Sequence, residues 1–157
     1  MKISFDLDNT IIPYSNEFEV EDMPFLGKLI KAERIRAGTI ELFKKLRSKK
    51  WEIWIYTTSY RSVWQINKTF IAYGLKTTRI INGKISQDAL KKHNCYASKN
   101  PKLFGIDLHV DDLEGVKMEG EKYQFETLIV DLKEQNWINL VLQRIEQIEK
   151  KTNYNKT

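Results

Sequence analysis

Cysteine is almost missing from this chain of 157 residues, in which Cys95 stands alone. A single cysteine has no partner for a disulfide within the chain. Structural disulfides belong to oxidising compartments, so a lone thiol favours a reducing setting. We therefore expect a cytoplasmic protein without internal disulfides.

Long apolar runs are missing as well. No stretch comes near the roughly 20 apolar residues of a membrane-spanning helix, so we expect no membrane partner. The first ten residues, MKISFDLDNT, carry two aspartates where a secretory signal peptide has an apolar run before a small-residue cleavage site. We expect no signal peptide in this segment.

Internal repeats and low-complexity linkers are also lacking. The length suits one domain with a substantial core, and a content of 41% hydrophobic and 30% charged residues is typical of a soluble globular protein. We predict a single domain over residues 1–150, within which 11–35 could form a small flap. Residues 151–157 are expected to fray.

The charge balance is mildly basic, with a net charge of +5 and a pI near 9.2. Such a charge can attract an anionic partner. However, the lysines form scattered doublets, arginine is sparse, and no aromatic and basic stripe is visible. A nucleic-acid partner is therefore only weakly supported.

Helical and strand patterns alternate along the chain. Strands are predicted near residues 1–8, 51–59, 77–83, 106–110 and 123–132. Helices are predicted after an N-cap at Thr39, after an N-cap at Ser59 and after an N-cap at Asn136. Residues 13–25 are interpreted as a loop or hairpin, and 84–104 as irregular. This alternation predicts an α/β fold: a Rossmann-like, three-layer α/β/α domain with a mostly parallel sheet of about five strands.

Polar residues collect where the predicted strands end. Asp6 and Asp8 end the first strand, and Thr57 and Thr58 end the second. Asp111 and Asp112 follow the fourth. In parallel sheets the working site lies at the carboxyl ends of the strands, so these pairs are expected to meet at one edge.

The same residues resemble the motifs of the haloacid dehalogenase-like (HAD) phosphohydrolases. Asp6-Leu7-Asp8-Asn9-Thr10 matches the first motif, Asp-x-Asp-x-Thr, and the segment IWIYTTS matches the second, with Thr57 in the family position. The segment SKNPKLFGIDLHVDD matches the third, a lysine, and the fourth, an acidic pair after an apolar strand. All four occur in the family's order, and together they cover most of the chain.

The resemblance implies a role for each motif residue. Asp6 would be the nucleophile that forms an aspartyl-phosphate, and Asp8 the general acid and base. Thr57 would bind a phosphate oxygen, and a lysine would neutralise the nucleophile and the phosphoryl group. Thr58 and Arg61, near a predicted helix N-terminus, could add anion contacts.

The resemblance also implies a Mg2+ site with oxygen ligands. The ligands would come from Asp6, Asp8, Asp111 and Asp112, with Asp8 contributing its main-chain carbonyl. Alignment of the apolar strand favours Asp112 as the direct ligand, which would leave Asp111 to bind indirectly or through the lysine.

The motif lysine has two candidates, Lys99 and Lys102, both of which precede the acidic pair. We favour Lys99 because Lys-Asn-Pro is expected to start an ordered loop before the strand.

The gaps between the motifs are too short for a full cap domain. HAD enzymes choose substrates through caps, and a minimal cap goes with larger substrates or with a cap from another subunit. We expect a phosphorylated partner, either a small molecule or a macromolecular phosphate, with residues 13–25 as a candidate lid. The function predicted is therefore a Mg2+-dependent phosphatase. The alternatives are a non-catalytic binding or regulatory module of the same fold and a basic nucleic-acid-binding domain.

Overall fold

The computed structural model describes residues 1–154, which form a parallel sheet and the helices around it. The strands are β1 (Lys2–Phe5), β2 (Glu52–Tyr56), β3 (Arg79–Ile81), β4 (Leu108–Asp111) and β5 (Thr127–Ile129). The helices are α1 (Phe25–Leu29), α2 (Thr39–Ser48), α3 (Val63–Ala72), α4 (Gly83–Lys92), α5 (Glu114–Tyr123) and α6 (Trp137–Tyr154). A 3-10 turn covers Pro101–Phe104.

The five strands pair in the order β3-β2-β1-β4-β5, and every pair is parallel. The predicted fold class is thus confirmed: helices flank a parallel sheet in a three-layer, Rossmann-like arrangement. From β1 the chain first adds strands on one side and then crosses to the other, so the order reverses between β1 and β4. Ligand sites of such sheets lie at this reversal, beyond the carboxyl ends of the strands.

Alternating side chains give the sheet two different faces. The first face packs against α2, α3 and α6 in the main hydrophobic core. The second face is partly polar, and its smaller apolar cluster includes contacts from α4 and the 3-10 turn. Residues of the first face include Ile3, Phe5, Ile53, Ile55, Leu108 and Val110. Residues of the second face include Ser4, Trp54, Tyr56 and His109.

Helix α4 occupies the start of the segment 84–104, so the interpretation of this whole stretch as irregular is wrong. Its N-cap is Asn82, whose side chain accepts a hydrogen bond from the Ile85 main chain. The buried positions of this helix include Gly83 and Ser86, which are small or polar. Ile85 and Leu90 are its large apolar residues, so the helix offers little hydrophobicity for a sequence pattern to reveal.

Two predicted caps lie at different residues from those that the structure uses. The N-cap of α3 is Ser62, which forms a capping box with Gln65, rather than Ser59. The N-cap of α2 is Gly38 in the left-handed region, with φ of 85°. Thr39 is the first helical residue, and its hydroxyl donates to the Arg36 carbonyl.

The segment 11–35 contains α1, a short helix that the sequence pattern did not indicate. Helix α5, between the acidic pair and β5, was likewise not predicted. Helix α6 continues through 151–154, where fraying was expected, and residues 155–157 lie outside the described residues. Within 1–154, no helix combines the length and the hydropathy needed to cross a bilayer.

Candidate active site

Asp6 stands at the carboxyl end of the central strand. It follows β1 directly, and its main-chain N–H donates to the Val110 carbonyl at 2.8 Å, which continues the pairing with β4. Only 6% of the residue is exposed. The two neighbouring strands therefore hold a buried carboxyl group at the reversal point of the sheet.

Lys99 lies between this carboxylate and that of Asp111. Its Nζ is 2.6 Å from Oδ1 of Asp6 and 2.6 Å from Oδ2 of Asp111. Only 3% of the residue is exposed. Lys102 is exposed on the 3-10 turn, so Lys99 is the candidate lysine that the structure brings to the carboxylates.

A buried histidine forms a hydrogen bond with the Asp111 carboxylate. His109 Nε2 lies 3.0 Å from Oδ2 of Asp111, and Nδ1 lies 2.8 Å from the Ser4 hydroxyl. Burial lowers the pKa of the His109 imidazole, which is therefore neutral at pH 7. Because a carboxylate only accepts, Nε2 carries the hydrogen and donates to Asp111, while Nδ1 accepts from Ser4.

Burial and charge act against each other in this cluster. Burial raises the pKa of the Asp6 carboxyl from 3.8 to about 6, although the Lys99 ammonium opposes the shift. Burial acts in the same direction on Asp111, but the His109 hydrogen bond and the Lys99 charge hold the pKa of that carboxyl below its usual range. Burial works against the Lys99 ammonium, yet the two carboxylates raise its pKa. All three groups are therefore charged at pH 7.

Asp112 completes a trio of carboxylates with Asp6 and Asp111. One oxygen of each lies within 4.8 Å of the others, a spacing that fits a shared metal ion. The Thr10 hydroxyl donates to Oδ1 of Asp112 at 3.3 Å. Burial, and next the charge of Asp111, raises the pKa of the Asp112 carboxyl. An all-oxygen donor set of this kind suits a hard divalent cation such as Mg2+.

Asp8 lies outside the trio and pairs with an arginine instead. Nη1 of Arg61 donates to Oδ2 of Asp8 at 2.9 Å, and Nη2 donates to Oε1 of Glu33 at 3.0 Å. The two aspartates of the first motif thus have different cationic partners, Lys99 for Asp6 and Arg61 for Asp8.

The two threonines after β2 are placed differently. Thr57 is buried, and its hydroxyl accepts a hydrogen bond from the Ser59 main chain at 3.1 Å. Thr58 is exposed, and its carbonyl faces Gly83 at the start of α4. Both lie at the carboxyl edge beside β1, but among the described residues neither hydroxyl bonds to the acidic groups.

Ser4, His109 and Glu33 were not predicted as site residues from the sequence, although His109 was expected to be packed or hydrogen-bonded. Ser4 lies two positions before Asp6, and His109 lies two positions before Asp111, so polar residues alternate on one face of two buried strands. This alternation is the sequence pattern from which the hydrogen bonds between these side chains could have been predicted. Glu33 belongs to no motif, and nothing in the sequence pattern connects it to Arg61.

A cavity of about 640 Å3 lies at the same edge, beyond β5. Residues 16–19 and the loop 132–135 line it, together with Arg36 and Trp137. None of the predicted site residues is part of its lining. The candidate lid 13–25 therefore contributes its residues 16–19 to the wall of this separate cavity.

Comparisons of the chain with protein-family models, with curated proteins and with solved structures found no match.

Proposed function

We propose that this chain is a Mg2+-dependent phosphomonoester hydrolase of the HAD type. The observation that supports the proposal most directly is the position of Asp6. Its carboxylate lies at the end of the central strand, bonded to Lys99, within a trio of carboxylates. A nucleophile that must remain ionised in a buried place needs such positive neighbours.

The donor set supports a magnesium site. Asp6 and Asp112 would hold the ion, together with the main-chain carbonyl of Asp8. Asp111, whose oxygens accept from Lys99, His109 and the Leu113 main chain, would act indirectly. When bound, Mg2+ supplies charge compensation for the carboxylates and for the phosphate group. The Lys99 ammonium compensates part of the same charge from the buried side.

The first half-reaction transfers the phosphoryl group to the protein. A carboxylate oxygen of Asp6 attacks phosphorus and forms an acyl-phosphate bond, while the bond from phosphorus to the ester oxygen breaks. Asp8, in its protonated form, gives its proton to the leaving oxygen, which departs as an alcohol. Lys99 stabilises the negative charge on the transferring group.

The second half-reaction restores the protein. Asp8, now ionised, takes a proton from a water molecule whose oxygen attacks phosphorus. The bond between Asp6 and phosphorus breaks, and inorganic phosphate leaves. Arg61 pairs with Asp8 in the absence of substrate, so both side chains already face the same site.

Phosphate recognition is assigned to Thr57, Thr58, Arg61 and Lys99. Their hydroxyl, guanidinium and ammonium groups are donors for phosphate oxygens, and they follow or face the carboxyl ends of β1 and β2. The substrate class is a phosphate monoester, from a small molecule or from a macromolecule. A cytoplasmic location fits the single cysteine.

The proposal is tested by phosphate release from an aryl phosphate with and without Mg2+. We expect release that depends on the metal and is lost, by at least about 1,000-fold, in Asp6→Asn, because the amide cannot act as the nucleophile. Asp88→Asn is the matched control, since it neutralises an exposed carboxyl group on α4. Circular dichroism of both variants checks the fold.

Two outcomes would contradict the proposal. A folded protein that releases no phosphate from a panel of nucleotides, sugar phosphates and phosphopeptides in Mg2+ is not this hydrolase. Activity that survives in Asp6→Asn contradicts the aspartyl-phosphate route. Binding to DNA or RNA that weakens steeply with salt, without turnover, would favour the nucleic-acid alternative.

A further inference from the structure

Arg61 is held in place from several directions. Its main-chain N–H donates to the Ser59 hydroxyl at 3.3 Å, and its carbonyl accepts from Nδ2 of Asn82 at 2.9 Å. Nη1 also donates to the Ser59 hydroxyl at 2.9 Å. These contacts come from the loops after β2 and β3. The base of the side chain is therefore fixed before any ligand arrives.

The far end of the guanidinium is fixed by Glu33, and Glu33 is itself anchored. Its main-chain N–H donates to the Thr69 hydroxyl at 3.3 Å, and its carbonyl accepts from the Tyr73 hydroxyl at 3.3 Å. Thr69 is fully buried in α3. Two contacts with the α3 region therefore hold the main chain of Glu33, and the bond to Arg61 holds its carboxylate.

An ordinary surface ion pair would explain a bond between Arg61 and Glu33 without any function. Such pairs contribute little because water screens them and long side chains lose entropy. Here the pair is half-buried, with 28% of the Arg61 side chain and 34% of the Glu33 side chain exposed. The main-chain anchoring of Glu33 and the contact of Arg61 with Asp8 distinguish it from a chance surface pair.

We propose that Glu33 is a positioning residue that holds Arg61 ready to bind the substrate phosphate. This inference rests on the proposed function. Nη2 stays on Glu33, while Nη1, which now faces Asp8, donates to a phosphate oxygen. A planar guanidinium can bind Glu33 and a phosphate oxygen at the same time, because its N–H donors form a rigid fork.

The proposal gives the segment 11–35 a part in the site. The segment is too short to form a cap domain, but it carries Glu33 to the edge of the sheet. Without that carboxylate, Asp8 is the remaining acidic partner of Arg61 among the described residues. The guanidinium is then less well placed for phosphate, so substrate binding suffers more than the chemical step.

The first experiment compares Glu33→Gln with Glu146→Gln in aryl phosphate hydrolysis. We expect KM to rise about three- to tenfold in Glu33→Gln, the range for a partly exposed charged hydrogen bond, with kcat changed less than about twofold. Glu146→Gln removes the same charge from an exposed site on α6, away from the candidate site, and its KM should stay within about twofold of the unsubstituted protein. An equal rise in both variants would show a general charge effect and would overturn the proposal.

A double-mutant cycle tests whether Glu33 acts through Arg61. Arg61→Ala should raise KM by more than Glu33→Gln does. Adding Glu33→Gln to Arg61→Ala should then change KM by less than about twofold, because the group that Glu33 positions is gone. Independent, multiplicative effects would contradict the proposal. A thermal melt of each variant checks that the fold is intact.

Titration with inorganic phosphate separates failure of this inference from failure of the proposed function. In the presence of Mg2+, we expect Glu33→Gln to bind phosphate about three- to tenfold more weakly, as measured by calorimetry. If the unsubstituted protein hydrolyses aryl phosphate and Glu33→Gln matches it in both KM and phosphate affinity, only the role of Glu33 is wrong. If the unsubstituted protein neither turns over nor binds phosphate, both proposals are wrong.

Discussion

At the residue scale, the main feature is a cluster of charged groups that would be unstable if each were buried without a partner. Asp6, Lys99 and Asp111 are almost fully enclosed, and an isolated ion in such a place costs several kcal/mol. Each carboxylate offsets part of the cost through Lys99, and His109 adds a hydrogen bond to Asp111. The two carboxyl groups still differ, because Asp6 lacks the histidine contact and keeps a raised pKa.

This difference predicts a pH effect on stability in the absence of metal. The pKa of Asp6 rises from 3.8 in the unfolded chain to about 6 in the folded protein. Its protonated form therefore favours folding below pH 4, and that contribution is lost as the pH rises through 6. Relative to Asp6→Asn, the free energy of unfolding should fall by up to about 3 kcal/mol between pH 4 and pH 7.

Urea unfolding of both proteins in EDTA at several pH values measures this difference. Comparison with Asp6→Asn removes the contribution of the acidic groups that do not interact with Asp6, because these titrate alike in both proteins. A difference that stays constant or increases with pH would show that the pKa of Asp6 is not raised.

At the scale of elements, the loop after β2 and the start of α4 are packed together closely. Gly83 opens α4, and a Cβ there would lie 2.3 Å from the carbonyl oxygen of Thr58. The Gly83 N–H donates to the Ser59 carbonyl at 2.8 Å. This contact ties α4 to the loop that carries Thr57, Thr58 and Arg61, so the helix that the sequence did not predict supports the candidate phosphate-binding loop.

Gly83→Ala should therefore destabilise the protein by about 1–3 kcal/mol, because the added methyl group meets main-chain atoms that cannot move aside easily. The matched control is Gly115→Ala in α5, where a Cβ would meet no atom within 4 Å. That substitution should leave stability unchanged or raise it by up to about 1 kcal/mol. Thermal unfolding distinguishes the two, and equal effects would contradict the close packing at Gly83.

At the scale of the whole molecule, the sheet topology brings together groups that are far apart in the chain. Asp6 follows the first strand and Asp111 belongs to the fourth, yet these strands are neighbours because the strand order reverses between them. The acidic trio therefore joins the two halves of the sheet. Any ion that it binds stabilises the folded state relative to the unfolded chain, in which the three groups are not held together.

Mg2+ is accordingly expected to raise the midpoint of thermal unfolding. At a Mg2+ concentration about 100-fold above Kd, binding contributes about 2.7 kcal/mol, which corresponds to a rise of about 5–10 °C for a chain of this length. Asp112→Asn should reduce the rise because it removes one ligand of the trio, whereas Asp88→Asn on α4 should not. A melt that does not respond to Mg2+, or responds equally in both variants, would contradict a metal site at the trio.

The sequence by itself was enough to predict the sheet and its acidic edge. Buried strands with short apolar runs and polar ends identify the parallel sheet, because these patterns are local and each strand carries its own. The same local patterns placed Asp6, Thr57 and Asp111 at strand ends and favoured Lys99 over Lys102. The sequence pattern did not indicate three helices, because α1 is only five residues long and α4 and α5 contain few large apolar residues.

Tertiary structure alone decided that Asp8 and Glu33 are the carboxylate partners of Arg61, whereas the resemblance had already implied a lysine beside Asp6. Lys99 bonds to both Asp6 and Asp111, and Arg61 bonds to both Asp8 and Glu33. Glu33 and Arg61 are 28 positions apart along the chain. Pairing of this kind depends on distances of a few ångströms between separate loops. The residues next to each group in the sequence do not determine those distances. The order of the strands and the packing of α3 determine them, because these bring the loops together.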